Sequence, residues 1–242
     1  MARLHFFALS DRGIRTINND AFCAEKIGNY YVFGVAEGQT DPAYDDAASG
    51  IVVSSLRESV KSQKNSPASA LAAAVHESDA RISARAANSP DRTRDATHLS
   101  ACLIDEALKC TILDTGEGNA YLIGRDGIHL PGEHAFSVQP EGLEFLTRSH
   151  SGETRRREMI AHTLGEPHVL TKADFAMVTI ADRFLLLSTG GLHDYVKKDR
   201  IADIVLQNGE NVEASCQYLL QEALSSGSER TITIVLVHGH LH

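Results

Sequence analysis

The carboxylate of Glu37 ends the apolar run Tyr30-Tyr31-Val32-Phe33-Gly34-Val35-Ala36 and is followed at once by Gly38. A short β-branched and aromatic run of this kind predicts a buried strand rather than a helix. Glu37 is then delivered to a sheet end, where Gly38 lets backbone approach whatever the acid addresses. Taken alone, the stretch is also an ordinary strand leaving its sheet at a Glu-Gly turn. A second acid, Asp20, closes the polar loop that begins at Ser10, just before Ala21-Phe22-Cys23. Gly28-Asn29 predicts a hairpin turn between the stretch ending at Ile27 and the Tyr30 strand, which brings Asp20 and Glu37 to the same edge. Two converging carboxylates suit a hard divalent cation, which takes oxygen ligands. The same polar loop carries Arg15, which by itself reads as a surface arginine.

The elements that must position these groups follow in order. A strand is expected over 4–10. After the hairpin, Pro42 suits a helix start, and Ala47, Ala48, Ile51, Val52, Ser55, Leu56 and Val60 share one face of a helix running from Asp41 to near Gln63. Ser66-Pro67 opens a second helix that closes before Asn88-Ser89-Pro90. His76 lies on its surface. Three short strands over 99–104, 109–113 and 120–123 read as an antiparallel meander. Residues 128–148 read as a long surface loop, and 153–162 as a charged helix. Strands over 173–180 and 183–188 are expected to pair around Ala181-Asp182. Helices over 200–206 and 212–224 and a final strand over 231–237 complete the chain. This pattern predicts one α+β domain spanning 1–242, with two antiparallel sheets and helices on their outer faces.

Composition narrows the function classes. The chain has 242 residues, 43% of them hydrophobic and 23% charged, enough for a well-filled core. A net charge of -9 argues against general affinity for nucleic acid or an anionic membrane. Arg155-Arg156-Arg157 is a local exception that reads as a solvated helix face. The four cysteines form no C-x-x-C pair, and the first residues contain no apolar segment of signal-peptide length, so the expected compartment is the cytoplasm. No apolar run is long enough to span a bilayer. His238-Gly239-His240-Leu241-His242 has imidazoles at alternate positions and reads as a frayed tail rather than a metal site. No G-x-S-x-G, Walker loop or H-E-x-x-H is present.

The order of motifs resembles the metal-dependent serine/threonine phosphatases of the PPM, or type 2C, family across nearly the whole chain. Ser10-Asp11-x-Gly13 followed by Arg15-x-x-Asn18-x-Asp20 resembles that family's S-D-x-G and R-x-x-N-x-D, and Val35-Ala36-Glu37-Gly38 its V-A-D-G. Thr115-Gly116-Glu117-Gly118-Asn119-Ala120-Tyr121-Leu122 resembles V-G-D-S-R-A-Y-L. His162-Thr163-Leu164-Gly165 is similar to R-A-L-G, the stretch from Asp182 to Leu192 to D-R-F-L-L-C-S-D-G-L, and Arg230-Thr231-Ile232-Thr233-Ile234-Val235 to D-N-I-T-V-V. The resemblance implies an α-β-β-α sandwich of two antiparallel sheets flanked by helix pairs. It also implies a site for two Mg²⁺ or Mn²⁺ ions at one end of the sheets, with Asp20, Glu37 and Gly38 at metal positions and Arg15 on the substrate phosphate. Metals at such a site polarise phosphate oxygens and lower the pKa of the attacking water.

The acids are where the chain departs from that pattern. Asp20 matches, and Glu37 stands for an aspartate. The third aspartate aligns with Thr189 or with Gly190, depending on where an extra glycine is counted, and the fourth with Arg230. Glu117 stands for the aspartate near a further metal. The four principal positions carry a formal charge of -1 here, from Asp20, Glu37 and Arg230, against -4 in the family pattern. Each unit of repulsion between a guanidinium and an ion at contact distance is worth roughly 1 to 4 kcal/mol at effective dielectrics of 80 to 20. Arg230 is therefore expected to replace metal by pairing with Glu37.

Two functions follow from the resemblance and its departures. The first is a phosphatase-fold protein with catalysis lost or strongly impaired, acting as a binding or regulatory module for a phosphorylated protein or a signalling protein and needing no cofactor. The second is an active metal-dependent serine/threonine phosphatase with an altered site that uses Mg²⁺ or Mn²⁺.

Overall fold

Successive side chains of a strand point to opposite faces, and this alternation builds the layers. Along β3 (Tyr30–Gly38), Val32 and Ala36 share a core with Val52 and Leu56 of α1 (Ala48–Ser62) and Leu71 and Val75 of α2 (Pro67–Asn88). Phe33 and Val35, on the other face, share a core with Leu185, Leu187, Val235 and Val237 from the opposing sheet. A third core lies outside that opposing sheet, where Leu186, Ile234 and Leu236 meet Ile201, Val205, Cys216 and Leu219. The structure, a computed structural model, describes residues 3–38, 48–62, 66–88, 97–115, 120–125, 127–129 and 174–240.

One sheet has the order β2-β3-β4-β5-β8, with β2 (Ala21–Ile27), β4 (Thr97–Ile104), β5 (Lys109–Asp114) and β8 (Asp174–Thr179) around β3. The other has the order β1-β10-β9-β6-β7, built from β1 (Arg3–Asp11), β10 (Ile232–His240), β9 (Arg183–Ser188), β6 (Ala120–Gly124) and β7 (Gly127–His129). All ladder pairs are antiparallel. The helices α1 and α2 cover the first sheet. The one-turn helix α3 (Gly190–His193), with α4 (Lys198–Asn208) and α5 (Val212–Ser225), covers the second, which gives the expected α-β-β-α sandwich. Among the described residues no helix is long and apolar enough to cross a membrane.

Several expectations from the sequence need correction. The meander is divided between sheets, because β5 pairs with β4 and β8 while β6 pairs with β9 and β7. Every residue of β4 is buried, so its pattern offers no polar face from which partner or layer could be read. Nor do β8 and β9 pair around Ala181-Asp182, since the chain crosses there from one sheet to the other. The crossing is held by Ile180 N–H on the Leu108 carbonyl at 3.1 Å and Asp182 N–H on the Gly239 carbonyl at 2.8 Å, with Asp182 at φ 55. It fits because residue 239 is glycine: a Cβ there would lie 2.4 Å from the Ile180 carbonyl oxygen. Residues 238–240 of the expected frayed tail are instead the end of β10, where His238 pairs with His5 on one side and Phe184 on the other, and Leu241 and His242 lie outside the described residues. Two short elements, β7 and α3, had no counterpart in the sequence reading, and β7 takes up the start of the expected 128–148 loop. The rest of that loop, the 153–162 helix with Arg155-Arg156-Arg157, the stretch 162–165, Glu117 and the expected helix start at Asp41 lie outside the described residues.

Candidate functional site

The β2–β3 ladder ends at Ala21 opposite Ala36, and Asp20 and Glu37 stand one step beyond it. Both acids therefore reach the same sheet end, as the hairpin reading expects. Gly38 is held against the loop before β2, since a Cβ on it would lie 2.3 Å from the Asn19 carbonyl oxygen.

Asp20 sits at the end of a relay of donors. Its Oδ2 accepts hydrogen bonds from the hydroxyls of Thr189 and Thr233, each at 2.8 Å. Because Thr233 donates to Asp20, its oxygen accepts from Ser10 at 2.7 Å, and Ser10 in turn accepts from the Asn18 amide at 2.8 Å. Asn18 also takes the Asp20 N–H at 3.0 Å. Burial, and then the neighbouring Glu37 charge, raise the Asp20 pKa from its ordinary 3.8 to about 6, against the hydroxyls that favour the anion. Its other oxygen, Oδ1, is buried with no hydrogen-bond partner among the described residues.

Glu37 is almost fully buried, and both its oxygens are engaged. Oε2 accepts the Gly190 N–H at 2.8 Å, and Oε1 forms a hydrogen-bonded ion pair with Nη2 of Arg230. The expected pair is present. Arg230 also gives Nη1 to Asp194 Oδ2, so one guanidinium bridges two carboxylates. That group lies directly over Gly190, where an added Cβ would be 2.6 Å from Nη1 and 2.7 Å from Cζ. The guanidinium thus fills the space that a side chain at 190 would enter. Both alternatives for the third acid position therefore face the site, Thr189 through its hydroxyl and Gly190 through its vacant side-chain direction. Next to it, a Cβ on Gly191 would lie 2.0 Å from the Thr231 carbonyl oxygen, so α3 can rest on the start of β10 only with glycine there.

Asp194 was not singled out from the sequence. Its signal was spacing: it lies four residues after Gly190, and its N–H closes the helical turn onto the Gly190 carbonyl at 3.2 Å. Ser10 and Thr233 lie within the recognised motifs, and the hydrogen-bond relay shows what they do. Arg15 is exposed, with its Nε fastened to the Glu229 carbonyl at 2.8 Å, one residue before Arg230. The loop carrying it packs on the same segment, because a Cβ on Gly13 would lie 2.6 Å from the Arg230 carbonyl oxygen.

The fold around this site matches a set of solved structures. The catalytic domain of the phosphatase PstP in complex with two manganese ions superposes with a TM-score of 0.77 over 100% of both chains, at 23% identity. The chain has the PPM phosphatase fold. The Mycobacterium tuberculosis serine/threonine phosphatase PstP/Ppp gives a TM-score of 0.76 at 22% identity, covering 97% of this chain and 98% of its own. The S. agalactiae serine/threonine phosphatase gives 0.78 at 17% identity, covering 98% and 99%. No protein-family model and no curated protein sequence matches the chain, so the likeness lies in the fold.

The described residues at this sheet end do not fit a two-metal centre. Magnesium takes about six oxygen ligands at near-ideal octahedral geometry. Here both Glu37 oxygens, Asp20 Oδ2 and Asp194 Oδ2 already accept from protein donors. Among the described residues no three His, Cys, Asp or Glu side chains are grouped to hold a metal ion. A fixed cation also stands between the acids that would have to bind one.

Proposed function

We propose that this phosphatase-fold chain recognises a phosphorylated protein segment without hydrolysing it and acts as a binding or regulatory module. The observation that carries the reading is the Arg230 guanidinium, paired with Glu37 and Asp194 across Gly190. Two-metal hydrolysis needs cations that polarise phosphate oxygens and generate a hydroxide. A guanidinium already bound to two carboxylates generates no nucleophile.

Arg15 supplies the anion contact. Its Nε is anchored to the residue before Arg230, which supports a fork facing the site, and arginine suits bidentate phosphate recognition. With Asp20 ionised, its charge together with those of Glu37, Asp194 and Arg230 comes to -2. Phosphate is therefore held at the rim rather than in the centre, and the affinity is modest.

The alternative, an active phosphatase with an altered metal site, is favoured by one observation: Asp20 Oδ1 is buried and has no partner among the described residues. One experiment separates the two. The purified protein is given p-nitrophenyl phosphate and a phosphothreonine peptide with Mg²⁺ or Mn²⁺, and peptide binding is measured in parallel. The binding reading expects no turnover, preference for the phosphorylated peptide, and loss of that preference in Arg15→Ala. Metal-dependent turnover abolished by Asp20→Ala would establish the alternative. Equal binding of phosphorylated and unphosphorylated peptide would remove the phosphate-recognition reading.

A further inference from the structure

We infer that Arg230 is a resident cation doing the structural work of a metal ion at this sheet end, and that Gly190 and Asp194 are its matched seat. The inference concerns how the site is completed and stands whether or not a phosphorylated peptide binds there.

Three features point the same way. The guanidinium joins β3, through Glu37, to the end of α3, through Asp194, from its own place two residues before β10; these are elements that a metal held by strand-end acids would also tie together. Gly190 contributes twice, because its missing side chain makes room for the guanidinium while its N–H holds the second oxygen of Glu37. The fork geometry also matters. Two different nitrogens of one plane reach two different carboxylates, which a lysine ammonium, as a point charge, reproduces poorly.

The arrangement amounts to an exchange of parts. An aspartate at 190 would drive its Cβ into the guanidinium, and an aspartate at 230 would leave the Glu37 and Asp194 carboxylates without the cation that now pairs them. With Arg230 in this position, a side chain at 190 would have to push the guanidinium off Glu37 and Asp194, and the seat already holds its cation. Replacing Arg230 by an acid should turn the same seat into one that demands a divalent ion.

Thermal melting of the full chain in EDTA and in Mn²⁺ tests this, with folding checked by circular dichroism. Wild type is expected to melt at the same temperature in both. Arg230→Asp is expected to melt lower in EDTA and to regain about 5 °C or more in Mn²⁺ at roughly a hundredfold its Kd, as linkage requires of a ligand that binds only the folded state. If Arg230→Asp does not fold in EDTA, Arg230→Ala is used in its place and should respond to Mn²⁺ in the same direction. Gly190→Ala should lower the melting temperature of wild type by several degrees and add little further loss in the Arg230→Ala background, since the clash needs both partners. A wild-type rise in Mn²⁺ equal to that of the variants, folded variants that ignore Mn²⁺, or a Gly190→Ala effect that persists unchanged without Arg230 would each overturn the inference.

Discussion

Asp20→Asn should change how stability depends on pH, and the size of the change can be worked from the site. The carboxyl is buried beside Glu37, and its pKa is raised from 3.8 to about 6. In the unfolded chain it returns to its ordinary value, so between these two values the folded state holds more protons than the unfolded state. Stability then falls as pH rises through that window, and the loss is complete once pH exceeds the folded-state value. At 1.36 kcal/mol per pH unit, the rise is worth about 3 kcal/mol. Below pH 3.8 both states are protonated and the effect vanishes.

Urea unfolding of wild type and Asp20→Asn between pH 3.5 and 7.5 reads this directly. Asparagine keeps an acceptor for the Thr189 and Thr233 hydroxyls but places an amide where Oδ1 now lies, so the two proteins need not agree at any single pH. The difference between their curves is the informative quantity. It should move in favour of the variant by about 3 kcal/mol across the window, and Glu37→Gln should shrink it by removing the second cause of the shift. Parallel curves would show that Asp20 titrates normally and that the picture of a buried, charge-crowded carboxylate is wrong.

Other outcomes follow from the same contacts. Arg230→Ala should cost about 2 to 3 kcal/mol, between the values typical of exposed and buried ion pairs, because Glu37 is 9% exposed while Arg230 is 36% exposed. Glu37→Gln should recover part of that loss in a double-mutant cycle, and a coupling near zero would refute the pair. Gly191→Ala should destabilise by roughly 1 to 3 kcal/mol, since its Cβ would meet the Thr231 carbonyl, a backbone atom that cannot swing away. Gly50→Ala, in α1 with open space around the new methyl, should instead stabilise by up to about 1 kcal/mol. Equal effects at the two glycines would mean that close approach is not what matters at 191.

Much of the fold was legible because its local signals are strong. Gly28-Asn29 marks the β2–β3 hairpin, and the β2–β3 ladder then leaves Asp20 and Glu37 together. Ser66-Pro67 and the apolar stripe behind them place α2 within a residue at each end. Strand pairing was less legible, because β4 is buried on both faces and β5 resembles any short apolar strand. The crossing between β8 and β9 depends on Gly239, some sixty residues away in sequence, accepting the Ile180 carbonyl. A two-residue gap between apolar runs looks like a hairpin until that distant contact is known.

The site divides along a similar line. A position-by-position reading finds an acid lengthened at 37, an acid lost at 189 or 190, and an acid reversed in charge at 230, which looks like three separate losses. In three dimensions they are one substitution with interlocking parts. Arg230 needs the space that Gly190 leaves and the charge that Glu37 keeps, and Asp194 supplies a second anchor that no strand-end pattern would single out. Glu37 ends with each oxygen on a separate donor, one on the guanidinium and one on the Gly190 N–H. Without Arg230 the buried Glu37 charge would lose its partner, and with Arg230 in place a side chain at 190 would meet the guanidinium. Together they leave the sandwich intact around a cation that belongs to the chain itself, so the edge that aligns Asp20, Thr189 and Thr233 should hold its shape in the absence of any metal.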